Sequence, residues 1–190
     1  MSRYLVRLPN RPAYTRKDVE KVSREIRTML GSREKASHFR VSDAALEFNM
    51  FAMSDQEFDR NKEILQKSFS RILTLKRIDN VPEMVGKEEA LRQGVEYFNQ
   101  ERFWEAHEIL EQAWNQSTGP ERDAIQGLIL TAAAFVHYQK YEDDICLSIL
   151  VRAWNKLGNS KPISGTDIEK VKGNIRDILD SKTIKLFRIS

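Results

Sequence analysis

The chain has 190 residues, a net charge of +3, 41% hydrophobic and 31% charged residues, and only 8 Gly and 5 Pro. That balance excludes a disordered or collagen-like chain and fits a folded, helix-rich protein long enough for one large domain or two small ones. The single Cys146 excludes an internal disulfide and a multi-cysteine zinc site, and no run approaches the roughly 18 apolar residues of a membrane span. The opening MSRYLVRLPNRP lacks the apolar stretch and small-residue cleavage site of a signal peptide, so a cytoplasmic location without membrane association is expected.

Charge divides the chain. Residues 1 to 80 hold 17 Lys or Arg against 11 Asp or Glu, a net +6, and residues 81 to 190 hold 14 against 17, a net −3. A basic half can meet RNA or another acidic partner, but interspersed charge of this size is more often a solvated surface.

In chain order, RYLVRL alternates as a strand does and is ended by the two prolines of LPNRP. Val19, Val22, Ile26, Met29 and Leu30 then recur at helical spacing, with Asp18 three residues after Thr15 as a capping partner and Gly31 at the stop. HFRVSD and ALEFNMFAM read as two strands around a turn at residues 42 to 44, the second sending Leu46, Phe48 and Met50 inward against Glu47 and Asn49 outward. Ser54 and Asp55 cap a helix carrying Phe58, Leu65 and Phe69, and RILTLKRI is a last strand.

The order βαββαβ predicts a ferredoxin-like sheet with both helices on one face. Sheets of this kind include RNA-recognition modules, but those carry aromatics on the open face within a basic, glycine-containing motif. ALEFNMFA has no such glycine and turns Phe48 inward, so RNA is not the expected partner. Homodimerisation through the open face or an edge strand is at least as well supported.

Asn80, Val81 and Pro82 mark the joint to an almost purely helical part. Leu91, Val95 and Phe98 define one helix, NQER a break, Phe103 to Trp114 a second helix, and the Gly-Pro of NQSTGPER a reversal. A long helix from Asp123 to Tyr138 follows, its Gly127, Ala132, Ala133 and Ala134 small enough for a close neighbour, and then one with Ile145, Ile149, Leu150, Ala153 and Leu157. Thr166 and Glu169 suggest a capping box for a helix through Leu179. The tail TIKLFRIS reads as a strand that could be added to the N-terminal sheet, since alone it would not be stable. The expected fold class is α+β: residues 1–80 as the ferredoxin-like domain, 83–158 as an all-α bundle, and 159–190 as a C-terminal helix and strand.

The helix from Phe103 carries the chemistry. At about 100° per residue, Phe103, His107, Leu110, Glu111 and Trp114 fall on one side, and Glu105, Ile109 and Gln112 on the other. A carboxylate on an apolar stripe needs a cation, a metal or strong donors. Two arrangements satisfy Glu111. In one, Arg122 pairs with Glu111 and Gln126 bonds His107 across a helix hairpin, fixing register. In the other, His107 and Glu111, one turn apart, share a divalent metal, with Glu108 about 100° away. A guanidinium on Glu111 would exclude that metal, and two protein ligands fall short of a zinc site, so a metal-free buried cluster is the expectation and no cofactor is predicted.

The phrases FNQERFWEAHEILEQAW and GPERDAIQGLI resemble the helical family catalogued as domain of unknown function family 309. His107, Glu111 and Trp114 carry that family's His, Glu and Trp spacing, and Arg122 and Gln126 its Arg and Gln on the next helix. Over roughly Leu91 to Leu157 the resemblance implies an all-helical fold, with metal binding suggested for the His and Glu, and it specifies no reaction. Function is thus expected to be binding of an unknown small ligand or a protein, with weak metal binding or metal-dependent hydrolysis at His107 and Glu111, or RNA binding by the basic half, as alternatives.

Overall fold

The computed structural model describes residues 1–42, 45–69, 71–78, 84–158, 163 and 165–190. The expected joint at Asn80, Val81 and Pro82 and most of the turn at residues 42 to 44 lie outside these. The chain divides into two compact units, Met1–Val81 with Gln139–Tyr141, and Pro82–Tyr138 with Glu142–Ser190.

The first unit is α+β. Strands β1 (Ser2–Pro9), β2 (Ala36–Val41), β3 (Ala45–Ala52) and β4 (Thr74–Arg77) form one antiparallel sheet in the order β2-β3-β1-β4, with helices α1 (Val19–Leu30) and α2 (Asp55–Phe69) between strands. Alternation decides the faces: Tyr4, Val6 and Leu8 register with Met50, Phe48 and Leu46, and all six are buried in one core with Val19, Val22, Ile26, Leu30 and Leu65 of the helices. Phe48 is 1% exposed and stacks on Phe39, as its inward position requires.

Local chemistry sets the boundaries. The Thr15 N–H and hydroxyl both donate to Asp18, at 2.8 and 2.9 Å, and hold that carboxyl below the usual carboxylate range. Gly31 ends α1 at φ 83°, the left-handed conformation in which a side chain is strained. Ser54 Oγ accepts from Glu57 N at the start of α2. Asn49 faces away from the helices yet is only 2% exposed, because its carbonyl oxygen accepts from the Arg3 guanidinium at 2.7 Å and from His38 Nδ1 at 3.2 Å.

The second unit is helical: α3 (Lys87–Asn99), α4 (Phe103–Asn115), α5 (Gly119–Gln139), α6 (Asp143–Leu157) and α7 (Ile168–Ser181). Helix α5 starts four residues before the expected Asp123, because Pro120 sits in its first turn, where a missing N–H costs nothing. The cap of α7 is Asp167, accepting from Lys170 N at 3.1 Å, one residue after the expected Thr166.

Two glycines let helices close up. A Cβ on Gly94 would lie 2.5 Å from Leu110 Cδ2, and one on Gly127 would lie 2.5 Å from Leu157 Cδ2 and 3.1 Å from the Leu157 backbone nitrogen. Phe98, Phe103 and Phe135 meet with ring centroids 5.0 to 5.7 Å apart, and Phe187 of the tail joins them at 5.7 Å from Phe98 and 5.4 Å from Phe135.

That placement corrects the expected C-terminal strand: residues 183 to 190 form no strand and pack within the helical unit. Asn99 presents donor and acceptor together, Nδ2 to the Ile189 carbonyl and Oδ1 to the Ile189 N–H, both at 2.8 Å, doing for one residue what a neighbouring strand would do. Ile189 is 3% exposed in the same core, and the Asp167 N–H donates to Ser190 O. The apolar tail needed cover, and the aromatic cluster supplies it without a ladder.

The two kinds of helical glycine should respond oppositely to a methyl group. Gly127→Ala forces the fully buried Leu157 and its backbone, an overpacking cost of about 1–3 kcal/mol that outweighs the roughly 1 kcal/mol gained in helix propensity. Gly173→Ala in α7 meets nothing within 4 Å and should stabilise by about 0.5–1 kcal/mol. Denaturant unfolding of both variants checks this, and equal stabilisation would remove the close α5–α6 approach.

Candidate functional site

The burial of α4 shows which way it faces. Phe103, Ala106, Ile109, Leu110 and Ala113 are buried, so the core side is centred near Ala106 and Ala113. His107, Glu111 and Trp114 lie on the flank of that stripe, the His107 side chain 25% and the Glu111 side chain 53% exposed. Ile109, expected to face away, is 1% exposed. The two alanines explain the difference: weighting the stripe by its large residues draws it toward Trp114, but the closest packing is made by the smallest side chains.

The buried His107, Glu111 and Arg122 cluster is therefore not formed. Glu111 stands largely in water, where a carboxylate needs no partner, and its contact with His107 is a long one, Nε2 to Oε1 4.0 Å. Arg122 lies over the indole of Trp114, with Cζ 3.7 Å from the ring centroid, and its Nη1 donates to Ser117 O at 3.5 Å. A guanidinium held over an indole gains cation–π attraction and keeps N–H groups for other acceptors. Gln126 does not bond His107 and instead lines a cleft on α5.

What α4 displays is a row. Trp104 and His107 stack at 5.9 Å and 14°, Glu111 follows one turn later, and Trp114 with Arg122 closes the row. Glu108 is half-buried beside it. Two buried nitrogens in this row, His107 Nδ1 and Trp114 Nε1, have no protein hydrogen-bond partner among the described residues. His137 sits apart at the end of α5, its Nδ1 2.5 Å from Glu142 Oε2.

The donors do not fit a resident metal. With Nε2 turned toward Glu111, Nδ1 would have to donate to an oxygen that orients the ring, and among the described residues it meets none. Two donors 4.0 Å apart could share an ion only nearly in line, at about 2.1 Å from each. No group of three or more His, Cys, Asp or Glu able to hold a metal occurs among the described residues.

A second feature was not foreseen from the sequence. Asp123, Gln126 and Leu130 on α5 face Arg152, Asn155 and Lys156 on α6 across an open cleft of ≈ 430 Å³. The only signal was spacing, i, i+3, i+7 on one helix and i, i+3, i+4 on the other, which puts each set on one stripe.

Residues 91–149, from within α3 into α6, match the family described as Domain of unknown function (DUF309), and this helical segment is a domain of that family. No curated protein matches the chain. No helix among the described residues is long and apolar enough to cross a membrane.

The stacking of Arg122 on Trp114 predicts a coupling of about 0.5–1 kcal/mol in a double-mutant cycle of Arg122→Met and Trp114→Leu, read by denaturant unfolding. The cycle of Arg122→Met with Glu111→Gln should be additive. Stronger coupling to Glu111 than to Trp114 would restore the ion pair.

Proposed function

We propose that the helical unit is a binding module whose recognition surface is the half-exposed row of α4, Trp104, His107, Glu111 and Trp114, with Arg122 beside it, and that its partner is a protein segment laid along that flank. The observation that carries this is a pair of buried nitrogens without a partner among the described residues, His107 Nδ1 and Trp114 Nε1, within one partly exposed aromatic row. Buried polar atoms are nearly always hydrogen-bonded, so a row that leaves two unpaired is short of about 1 kcal/mol for each. A partner that draws Arg122 or the rings outward can supply those bonds. Tryptophans on such a surface are also the side chains that contribute most when a partner covers them. We read the N-terminal unit as a ferredoxin-like domain, because its strand order is that of a split βαβ chain.

Selection of displayed peptides against the full chain tests the reading. Peptides that bind should shift the indole N–H signals of Trp104 and Trp114 in NMR spectra, and Trp104→Ala should weaken them about tenfold or more while leaving the fold intact. Binders that leave both indoles unmoved would contradict it.

A further inference from the structure

The α5–α6 cleft carries an inference independent of the α4 row. Its walls are held together: Gly127 brings α5 against Leu157 of α6, and Lys156 Nζ reaches across to Asp123 Oδ1 at 3.0 Å. Several charged residues elsewhere on this unit are paired at short range, as in Arg92 with Glu89, Arg102 with Glu105, and Lys87 with Glu121. The cleft differs. Among the described residues the side chains of Gln126, Arg152 and Asn155 make no hydrogen bond or ion pair, although all three line one space. A guanidinium and two amides there offer N–H donors, with Leu130 as an apolar patch.

Asp123 is the one acid in the lining, against Arg152 and Lys156, leaving the cleft at a net +1. It is already engaged by Lys156, both side chains being about half exposed (57% and 43%), so the pair exchanges readily. What sets the cleft apart is that donors from two facing helices converge on one space beside an apolar side chain. The volume, ≈ 430 Å³, is that of a small-molecule site.

We propose that this cleft binds a small organic oxyanion, a carboxylate or a phosphate ester. Arg152 grips the anion in its planar fork, Gln126 and Asn155 donate from either wall, and Leu130 takes the ligand's apolar part. The α5 wall lies within residues 91–149, and Arg152, Asn155 and Lys156 lie just beyond the matched segment.

NMR titration of the full chain with inorganic phosphate, with succinate and with neutral succinamide, at constant ionic strength, tests the proposal. At least one of the two anions should shift the side-chain amide signals of Gln126 and Asn155, and succinamide should not. The anion with the larger effect identifies the head group. Arg152→Gln, an exposed change that leaves the core untouched, should weaken binding about tenfold. Asp123→Asn should tighten it severalfold by removing the opposing carboxylate and freeing Lys156. Shifts from neither anion, shifts that persist in Arg152→Gln, or weaker binding in Asp123→Asn would each overturn it.

Discussion

Leu110 occupies the space that a side chain on Gly94 would need, and this contact fixes how α4 is turned about its own axis. With Leu110, Ala106 and Ala113 directed at neighbouring helices, Glu111 lies about 100° from Leu110 and is carried into solvent. The motif residues are where they are because the smallest side chains, not the largest, set the distance between helices. Arg122 follows from the same rotation. Once Glu111 points outward, the surface left for the first turn of α5 is the indole of Trp114, and the guanidinium lies on it.

The tail belongs to this packing. Phe98, Phe103 and Phe135 bring α3, α4 and α5 together, and Phe187 completes the cluster from outside any regular element. Asn99, in the last turn of α3, gives the tail two backbone hydrogen bonds, and the Asp167 N–H gives it another at Ser190 O. A segment with strand-like alternation is thus held without a ladder, and the residues it packs against the core, Ile184, Phe187 and Ile189, break that alternation, Leu186 being 36% exposed.

Periodicity made most of the fold legible. Alternation through Leu46, Phe48 and Met50 and helical spacing through Val19, Val22 and Ile26 identify elements because burial on one face is what those residues share. The site was legible in identity but not in direction: His107, Glu111, Trp114, Arg122 and Gln126 are the residues that α4 and α5 present, but as a half-exposed row and a separate cleft wall. A helical wheel cannot say that Ala106 and Ala113 outrank Trp114 in defining the core side, because that depends on which neighbour comes closest. The cleft residues Arg152, Asn155 and Lys156 were illegible for a related reason. Polar residues at helical spacing look like an ordinary solvated face until a second helix is placed opposite them.

The rotation of α4, and with it the account of the site, is tested most directly by where the Arg122 side chain lies. The structure predicts nuclear Overhauser contacts between the Arg122 side-chain methylenes and the Trp114 ring, with those methylene protons shifted strongly upfield by the ring current. Unshifted Arg122 methylene signals, with contacts to the Glu111 side chain in place of those to Trp114, would contradict it.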